Sequence, residues 1–338
     1  MENFLSLKKW LHKENDNIKM FDKDSRGLYS TKKIKKGDRI MEIPEKFILE
    51  LGKINDINLS KDLHNTNSYM AMYLLLESLK NQTNWKIYLD SLPKNLDEYI
   101  YFYNKDKLSE LKHTSIMCKG TYNFIVHMQN IKEDCQKIYE WINSNKLRKL
   151  LKKMNYNDFF KLFLKFRVYV CSRIFSYMKH NNDENGLVPY ADLLNHSENP
   201  NTTWYYDDKK EVFVVEATKN IEKEEEIYDS YGNKTNMQLV MYYGFSIKNN
   251  KFSELNFIHR NRLFTINYDT NIKELIRYSN IVNYKKDSEK FTEKSVKDKI
   301  QKLLEHHTKK IKGGKINDNN ILNIYDDEIN LMKNILKK

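Results

Sequence analysis

Two short segments near the middle of the chain contain side chains that could bind a ligand or take part in a reaction. The first reads GLVPYADLLNHS at residues 186–197 and includes Asn195 and His196, an amide beside an imidazole. The second reads EIYDSYGNKTN at residues 226–236 and contains Tyr231. A tyrosine hydroxyl can donate or accept a hydrogen bond, and an imidazole can bind a metal or transfer a proton. Taken singly, these segments are also typical of turns, and most of the 23 tyrosines are packing residues.

The histidines do not form a metal-binding pattern. No second ligand lies at metal-ligand spacing from His196, so neither a metal site nor an acid–base role is favoured there. His306 and His307 are adjacent in sequence, and neighbouring side chains on a helix point in different directions. We predict that this pair lies on the surface, and we predict no metal.

The elements that must position the two segments follow from the hydrophobic pattern. Apolar residues fall on one face of a short helix at residues 4–11. Further helices are predicted at 69–79, 105–111, 122–141, 147–154, 158–178 and 328–336. Strands are predicted at 28–34, 39–43, 202–206, 211–217 and 226–230. Beyond about residue 255 the pattern is helical, with a loop at Gly313-Gly314 and the Asn/Asp-rich stretch after it.

This order of elements predicts an α+β fold. With 4 Pro and 9 Gly in 338 residues, few residues interrupt helices. A helical insertion at about residues 55–180 separates two β-rich regions, and a helical tail follows. We predict a first domain at residues 1–250 and a helical C-terminal domain at residues 255–338.

The two segments, with His196 and Tyr231 35 residues apart, resemble the two C-terminal motifs of SET-domain methyltransferases. The whole layout resembles the branch typified by the plant Rubisco large-subunit lysine methyltransferase. In that branch a helical insertion splits the SET fold, and a helical C-terminal domain helps to bind the substrate. WKIYLDSLP at residues 85–93 is similar to the branch's W-x-x-Y-L-x-x-L-P segment, and VCSRIF at residues 170–175 to its V-x-S-R-x-F helix end. The implied fold is a SET-domain β fold with a pseudoknot.

The resemblance implies a cofactor, S-adenosylmethionine, and methyl transfer to a side-chain nitrogen. It makes Tyr231 the catalytic residue, with its hydroxyl beside the transferring methyl group. The Asn195 side chain and the His196 backbone would hold the amino-acid and adenine parts of the cofactor. Arg173 would pair with the cofactor's carboxylate, and Phe245 would pack near the adenine.

The remaining contacts that the resemblance implies involve residues 24–27, which match the first motif of the family, and residues on the substrate-binding side. Asp24, Ser25, Arg26 and Gly27 match the loop that wraps the methionine part of the cofactor. The family pattern there is G-x-G, and Ser25 replaces the first glycine, which puts cofactor affinity in question. Four residues match the substrate-binding side: Ser172, Phe175, Asp192 and Tyr243.

The residue types at two positions favour lysine as the methylated residue. The actin-histidine methyltransferases of this family have Asn where this chain has Phe175, and Trp where it has Ala191. The sequence therefore predicts a protein-lysine N-methyltransferase. The alternatives are a protein-histidine N-methyltransferase and a non-catalytic SET module that binds a protein.

The composition bounds the partners and the compartment. Basic residues outnumber acidic ones by 58 to 46, a net charge of +12, but the two signs are interleaved and no base-stacking motif accompanies them. We expect a protein substrate and a monomer, without membrane or nucleic-acid partners. A basic nucleic-acid-binding protein is the last alternative.

The N-terminus does not resemble a signal peptide. Since Cys118, Cys135 and Cys171 are too far apart for a disulfide framework, we expect a cytoplasmic or nuclear protein.

Overall fold

The computed structural model describes residues 2–13, 16–22, 26–52, 59, 62–118, 124–281, 290–314 and 316–338. Its helices are α1 (Glu2–Trp10), α2 (Thr66–Leu79), α3 (Lys86–Ser91), α4 (Lys105–Glu110), α5 (Phe124–Asn143), α6 (Arg148–Leu151), α7 (Tyr156–Arg173), α8 (Asn236–Tyr242), α9 (Ile272–Ile281), α10 (Glu293–Lys312) and α11 (Asn319–Lys337). Its strands are β1 (Ile18–Asp22), β2 (Arg26–Ser30), β3 (Arg39–Pro44), β4 (Leu49–Glu50), β5 (Ile174–Lys179), β6 (Asn182–Leu187), β7 (Asn195–His196), β8 (Thr202–Asp207), β9 (Val212–Ala217), β10 (Tyr228–Asp229), β11 (Glu254–His259) and β12 (Arg262–Asn267).

The described chain forms two compact units. The first comprises residues 1–95 and 130–232, and the second comprises residues 96–129 and 233–338. Part of the helical insertion thus belongs with the C-terminal residues. The domain boundary predicted from the sequence, near residue 250, stays a prediction.

The first unit contains several small β-sheets. β1 and β2 form an antiparallel hairpin, and β4, β6 and β5 form a three-stranded sheet in that order. A second three-stranded sheet has the order β3-β9-β8. The short strands β7 and β10 pair in parallel, with Asn195 opposite Tyr228 and His196 opposite Asp229. This pairing brings together the two segments that the sequence singled out.

One apolar core lies behind these sheets. Its side chains come from α1 and most of the strands, because alternate strand residues face the same side. Fully buried members include Leu7, Leu28, Ile43, Val188, Tyr190, Phe213 and Ile227. Burying side chains of this size stabilises the fold by about 1.5–3 kcal/mol each before the entropy cost. The predicted N-terminal helix and the β8–β9 hairpin are confirmed.

A helical insertion lies between β4 and β5. Its helices α2 and α7 pack along each other, and most of their buried side chains are apolar. Asn65 and Asn155 cap these helices, each accepting a hydrogen bond from a main-chain N–H in the first turn. The α+β fold with a helical insertion is confirmed.

The second unit contains the β11–β12 hairpin and the helices α8 to α11. Its apolar core includes Leu255, Phe264 and Ile300. α11 begins at Asn319, because the Asp318 side chain accepts a hydrogen bond from the N–H of Ile321 and caps it. The prediction of a loop up to residue 328 was wrong there.

Three further predictions of element type or extent were also wrong. The helix predicted at 158–178 ends at Arg173, and β5 follows directly. In β5, Phe175 and Tyr177 are buried while Ser176 and Met178 are exposed, a strand periodicity of two that the sequence reading missed. The helical pattern predicted beyond residue 255 begins instead with a β hairpin. The helix predicted at 147–154 is confined to α6.

His307 was predicted to lie on the surface, and this was wrong. Its side chain is fully buried, and Nε2 is 2.8 Å from a carboxylate oxygen of Glu328. His306 points elsewhere and packs on His113, with ring centroids 4.3 Å apart. The two side chains do diverge, but one of them turns toward α11.

Candidate active site

Residues 192–196 are the centre of the candidate site. They run from a short helical turn into β7. Asp192, Leu194, Asn195 and His196 all make hydrogen bonds within the first unit, and Leu194 and His196 both bond to Tyr231. The contacted residues come from β2, the end of α7 and the segment after β10. This five-residue segment therefore contacts three other predicted site residues, Arg26, Arg173 and Tyr231.

Asn195 joins this segment to β2. Its Nδ2 donates to the Arg26 carbonyl and to Oε1 of Glu226, both at 2.8 Å. A Cβ atom on Gly27 would lie 2.4 Å from Glu226 Oε1 and 3.1 Å from Asn195 Nδ2. A side chain at position 27 would therefore displace the Glu226 carboxylate from the Asn195 amide. Gly27 leaves room for this contact, whereas the family pattern links the glycine to approach of the cofactor.

Glu226 is a site residue that the sequence reading missed. Besides the Asn195 amide, its carboxylate accepts from the hydroxyls of Tyr29 at 2.9 Å and Tyr228 at 2.7 Å. The hydrogen bond to this carboxylate raises the pKa of both phenols, that of Tyr228 to about 12, so both stay protonated donors. Its position in the second motif was the only sequence signal.

Tyr231 is held at its main chain and at its hydroxyl. The hydroxyl donates to the Leu194 carbonyl at 2.8 Å, and the main-chain N–H donates to His196 Nδ1 at 3.0 Å. The His196 and Tyr231 rings also pack together, with centroids 5.1 Å apart. Burial lowers the pKa of His196, which favours the neutral ring that can accept at Nδ1. The His196 side chain thus positions Tyr231, a role that the sequence had not predicted.

Arg173 ends α7 and pairs with Asp192. Its Nη1 donates to the Asp192 carbonyl at 2.9 Å and to the carboxylate oxygen Oδ2 at 3.3 Å. The Arg173 side chain is 12% exposed and that of Asp192 is 1% exposed. The predicted substrate-binding carboxylate therefore contacts the predicted cofactor-binding arginine.

The other predicted substrate residues of this unit lie beside Arg173 in sequence. The Ser172 hydroxyl donates back to the Val168 carbonyl at 3.0 Å within α7. The Phe175 ring is 8% exposed and packs edge-on against Trp204 and Phe213, at centroid distances of 5.5 and 5.1 Å. Their predicted roles toward a substrate stay predictions.

Four further predicted site residues lie outside the part of the first unit described above. Tyr243 and Phe245 belong to the second unit, where their ring centroids are 6.3 Å apart. Asp24 and Ser25 lie outside the described residues, so the departure from G-x-G stays a prediction.

A cavity of about 340 Å³ opens beside Arg26. Its wall is the end of the WKIYLDSLP segment, and Arg26 Nη2 donates to the Ser91 carbonyl at 2.8 Å. This cavity lies within the first unit and places open space next to a predicted cofactor residue.

The chemistry of these residues fits the predicted cofactor. A guanidinium such as that of Arg173 matches a carboxylate. The Tyr231 hydroxyl, whose proton is directed at Leu194, presents oxygen lone pairs as acceptors. Within the described ranges, no group of three or more His, Cys, Asp or Glu side chains is arranged to bind a metal ion. None of the described helices is long and apolar enough to cross a membrane.

The fold and the site together define a class of protein. The family model described as the SET domain matches residues 25–232, more than half of the chain. The chain therefore belongs to the SET-domain family.

The relatives agree with the branch that the sequence resembles. The chain is 25% identical over 231 residues to the ribulose-1,5-bisphosphate carboxylase/oxygenase large subunit N-methyltransferase of Nicotiana tabacum, covering 65% of this chain and 45% of the relative. It is also 25% identical over 249 residues to the actin-histidine N-methyltransferase of Xenopus tropicalis, covering 68% and 40%. The chain thus spans less than half the length of these two relatives.

A solved structure shares the whole fold. Rubisco LSMT bound to AdoMet superposes with a TM-score of 0.74 at 19% identity, covering 99% of this chain and 91% of that one. This likeness shows a common fold. With the family match and the tobacco relative, it confirms the predicted membership of the Rubisco LSMT branch.

Proposed function

We propose that this protein is an S-adenosylmethionine-dependent protein-lysine N-methyltransferase in which Tyr231 is the catalytic residue. The observation that carries the proposal is the fixed orientation of Tyr231. Its hydroxyl proton is directed at the Leu194 carbonyl, and its main chain is held by His196. A tyrosine held in this way offers its oxygen as an acceptor in one set direction.

The cofactor would be held by the residues that the family resemblance assigns to it. Arg173 would bind the carboxylate, Asn195 and His196 the amino-acid and adenine parts, and Arg26 and Gly27 the methionine part. Asp24, Ser25 and Phe245 complete the proposed set. The AdoMet in the solved structure of similar fold supports this choice of cofactor. When bound, S-adenosylmethionine supplies the methyl group as the electrophile.

Tyr231 would act by orienting this methyl group. Its oxygen and nearby main-chain carbonyls can accept weak C–H···O contacts, each worth about 0.5–1 kcal/mol. The attacking nitrogen, the methyl carbon and the leaving sulfur must be nearly collinear. Groups held in place before reaction supply such alignment without reorganisation during it.

The nucleophile must lose a proton before it attacks. A free lysine has a pKa near 10.4, so deprotonation at pH 7 costs about 4–5 kcal/mol. Desolvation between aromatic side chains and a nearby positive charge both lower that pKa. Tyr243 and Phe175 are the proposed aromatic residues on the substrate side. The proton then leaves to water, and no strong base is required.

Two positions support lysine over histidine as the methylated residue. Phe175 fills its place with an aromatic ring packed on Trp204 and Phe213, where the histidine-methylating branch has an amide. Ala191 is fully buried directly before Asp192, where that branch has the much larger Trp. Because the chain also matches actin-histidine methyltransferases, a protein-histidine methyltransferase is the second candidate.

The test is transfer of labelled methyl from S-adenosylmethionine to proteins of a lysate, with the modified residue mapped by mass spectrometry. We expect label on lysine. We also expect Tyr231→Phe to lower turnover by about 100-fold while cofactor affinity is retained, because the alignment of the methyl group is lost together with the weak contact. The matched control is Tyr205→Phe, which removes a hydroxyl that donates to Glu216 at 3.0 Å on the β8–β9 hairpin.

Each other result selects an alternative. Label on histidine favours the second candidate. Cofactor binding without any transfer indicates a non-catalytic SET module. If Tyr231→Phe abolishes cofactor binding as well as transfer, Tyr231 is a structural residue.

A further inference from the structure

A buried tyrosine outside the two motifs contacts the Arg173–Asp192 pair. Tyr88 lies in α3 and is about 1% exposed. Its hydroxyl donates to Asp192 Oδ2 at 2.8 Å, the same oxygen that Arg173 Nη1 approaches at 3.3 Å. The three side chains therefore form a row in which one carboxylate oxygen accepts from both neighbours.

The orientation of the Asp192 carboxylate depends on these two donors. Within the described part of the chain, nothing donates to its other oxygen, Oδ1, which is also buried. A buried carboxylate needs hydrogen bonds to offset its desolvation. Tyr88 remains a donor because burial raises its pKa well above the ordinary value. Removing the hydroxyl would leave Arg173 as the one described side chain that holds Asp192.

The position of Asp192 in turn sets the direction of the Arg173 guanidinium. This group is planar and rigid, so fixing Nη1 at the Asp192 carbonyl and carboxylate fixes where the opposite edge points. Recognition of a carboxylate by arginine depends on this geometry as well as on charge.

The same helix also contacts the β2 side of the site. The Ser91 carbonyl at the end of α3 accepts from Arg26 Nη2 at 2.8 Å. α3 thus touches a predicted cofactor residue directly and another through Asp192. It is the WKIYLDSLP segment that places both contacts, with Tyr88 and Ser91 one turn apart.

We infer that Tyr88 is a positioning residue for the cofactor, acting through Asp192 to aim Arg173 at the carboxylate of the bound molecule. This inference rests on the proposed function. It predicts that Tyr88 affects binding of the amino-acid part of the cofactor and not of the nucleoside part.

Calorimetric titration of the full chain with two probes tests this. S-adenosylhomocysteine carries the carboxylate, and 5′-methylthioadenosine lacks the whole amino-acid part. For Tyr88→Phe we expect the affinity for S-adenosylhomocysteine to fall about tenfold, as for a lost hydrogen bond to a charged group. The affinity for 5′-methylthioadenosine should change less than about twofold. Because the ratio of the two affinities is independent of the folded fraction, modest destabilisation does not obscure the result.

A double-mutant cycle shows whether Tyr88 acts through Arg173. With Arg173→Met already present, Tyr88→Phe should have no further effect on S-adenosylhomocysteine binding. The matched control is Tyr177→Phe, which removes a buried hydroxyl that donates to Glu50 at 2.8 Å. The control should leave both affinities unchanged.

Three results would overturn the inference. Equal loss of both probes would make Tyr88 a packing residue, and no loss of either would make its hydroxyl irrelevant. A full effect of Tyr88→Phe in the Arg173→Met background would exclude action through Arg173. Failure of the unmodified protein to bind S-adenosylhomocysteine would instead contradict the proposed function itself.

Discussion

The contact between His196 and Tyr231 shows how one side chain can position another through its main chain. The His196 Nδ1 atom accepts the Tyr231 N–H at 3.0 Å, and both residues are partly buried. Leaving a buried N–H without an acceptor costs about 1–3 kcal/mol. The imidazole therefore contributes to the geometry of Tyr231, the proposed catalytic residue, through a contact with its main chain.

Two substitutions of His196 distinguish the effect of its hydrogen-bond acceptor from the effect of its imidazole ring. We expect His196→Asn, whose amide oxygen can take the place of Nδ1, to retain most methyl transfer. His196→Leu should lose about tenfold or more in turnover and about 1–3 kcal/mol in free energy of unfolding. Methyl-transfer assays and denaturant unfolding measure the two effects. Equal behaviour of the two variants would show that the hydrogen bond is unimportant.

The same contact has a definite pH dependence. Burial lowers the pKa of His196 in the folded state below the ordinary 6.5, so the unfolded chain binds the proton more readily. The stability that His196 contributes is therefore complete above about pH 6.5 and is lost as the pH falls toward the folded-state pKa. This pH dependence of stability should be absent from the His196→Asn variant, which serves as the control.

At the level of single residues, the sequence identified side chains whose types and order follow a family pattern. Asn195 is hydrogen-bonded to Arg26, and His196 to Tyr231. The family pattern predicted contacts of these residues with a cofactor and did not predict their contacts with each other. The contacts of two further residues, Glu226 and Tyr88, were not identified. Most of their partners are far away in the chain, and nothing local marks those contacts.

His307 was misplaced for the same reason. Its partner, Glu328, lies 21 residues further along the chain and on a different helix. Nothing in the residues around His307 indicates that a carboxylate from α11 will reach it. A buried side-chain contact between two helices is therefore found only once the packing of those helices is known.

Two hairpins explain most of the errors at the level of elements. β5 and β6 are joined by His180 and Asn181, and β11 and β12 by Arg260 and Asn261. All four loop residues have positive φ, between 48° and 63°. Two-residue hairpin loops of this kind usually contain glycine, most often as Asn-Gly. Without glycine the turns carried no sequence signal, and β5, β11 and β12 were predicted as helix.

These loops are strained, and the strain can be relieved. An L-residue in the left-handed region costs about 1–2 kcal/mol, less for Asn. Replacing Arg260 and Asn261 by Asn and Gly should therefore raise the free energy of unfolding by about 1 kcal/mol. Urea denaturation measures this. A glycine at Asn267, within β12, should instead lower stability by about 0.5–1 kcal/mol. A loss of stability in the Asn-Gly variant would contradict the turn geometry.

At the level of the whole molecule, each unit contains a buried aspartate whose pKa is raised to about 6. Asp229 lies in the first unit and Asp327 in the second, and burial is the main cause in both. The ordinary pKa is 3.8, so the folded state binds more protons than the unfolded state between about pH 4 and 6. Each group therefore lowers stability as the pH rises through this window.

Neutral replacements should remove this penalty. We expect Asp229→Asn and Asp327→Asn each to raise the free energy of unfolding at pH 7.5 by about 1–2 kcal/mol and to have little effect below pH 4. The aspartates have different hydrogen-bond partners, Ser230 for one and Ser253 for the other, so the effects should add within about 0.5 kcal/mol. Unfolding at both pH values gives the comparison, and destabilisation at pH 7.5 would contradict the sign.

The parallel pairing of β7 with β10 also sets when the site can first exist. Arg26, Asn195 and Tyr231 leave the ribosome in that order, and about 200 residues separate the first from the last. At about 5–20 residues per second, β2 waits roughly 10–40 seconds for the strand that completes the site. The contacts among Arg26, Asn195 and Tyr231 therefore cannot assist the early steps of folding on the ribosome, and a chain interrupted before Tyr231 is released without them.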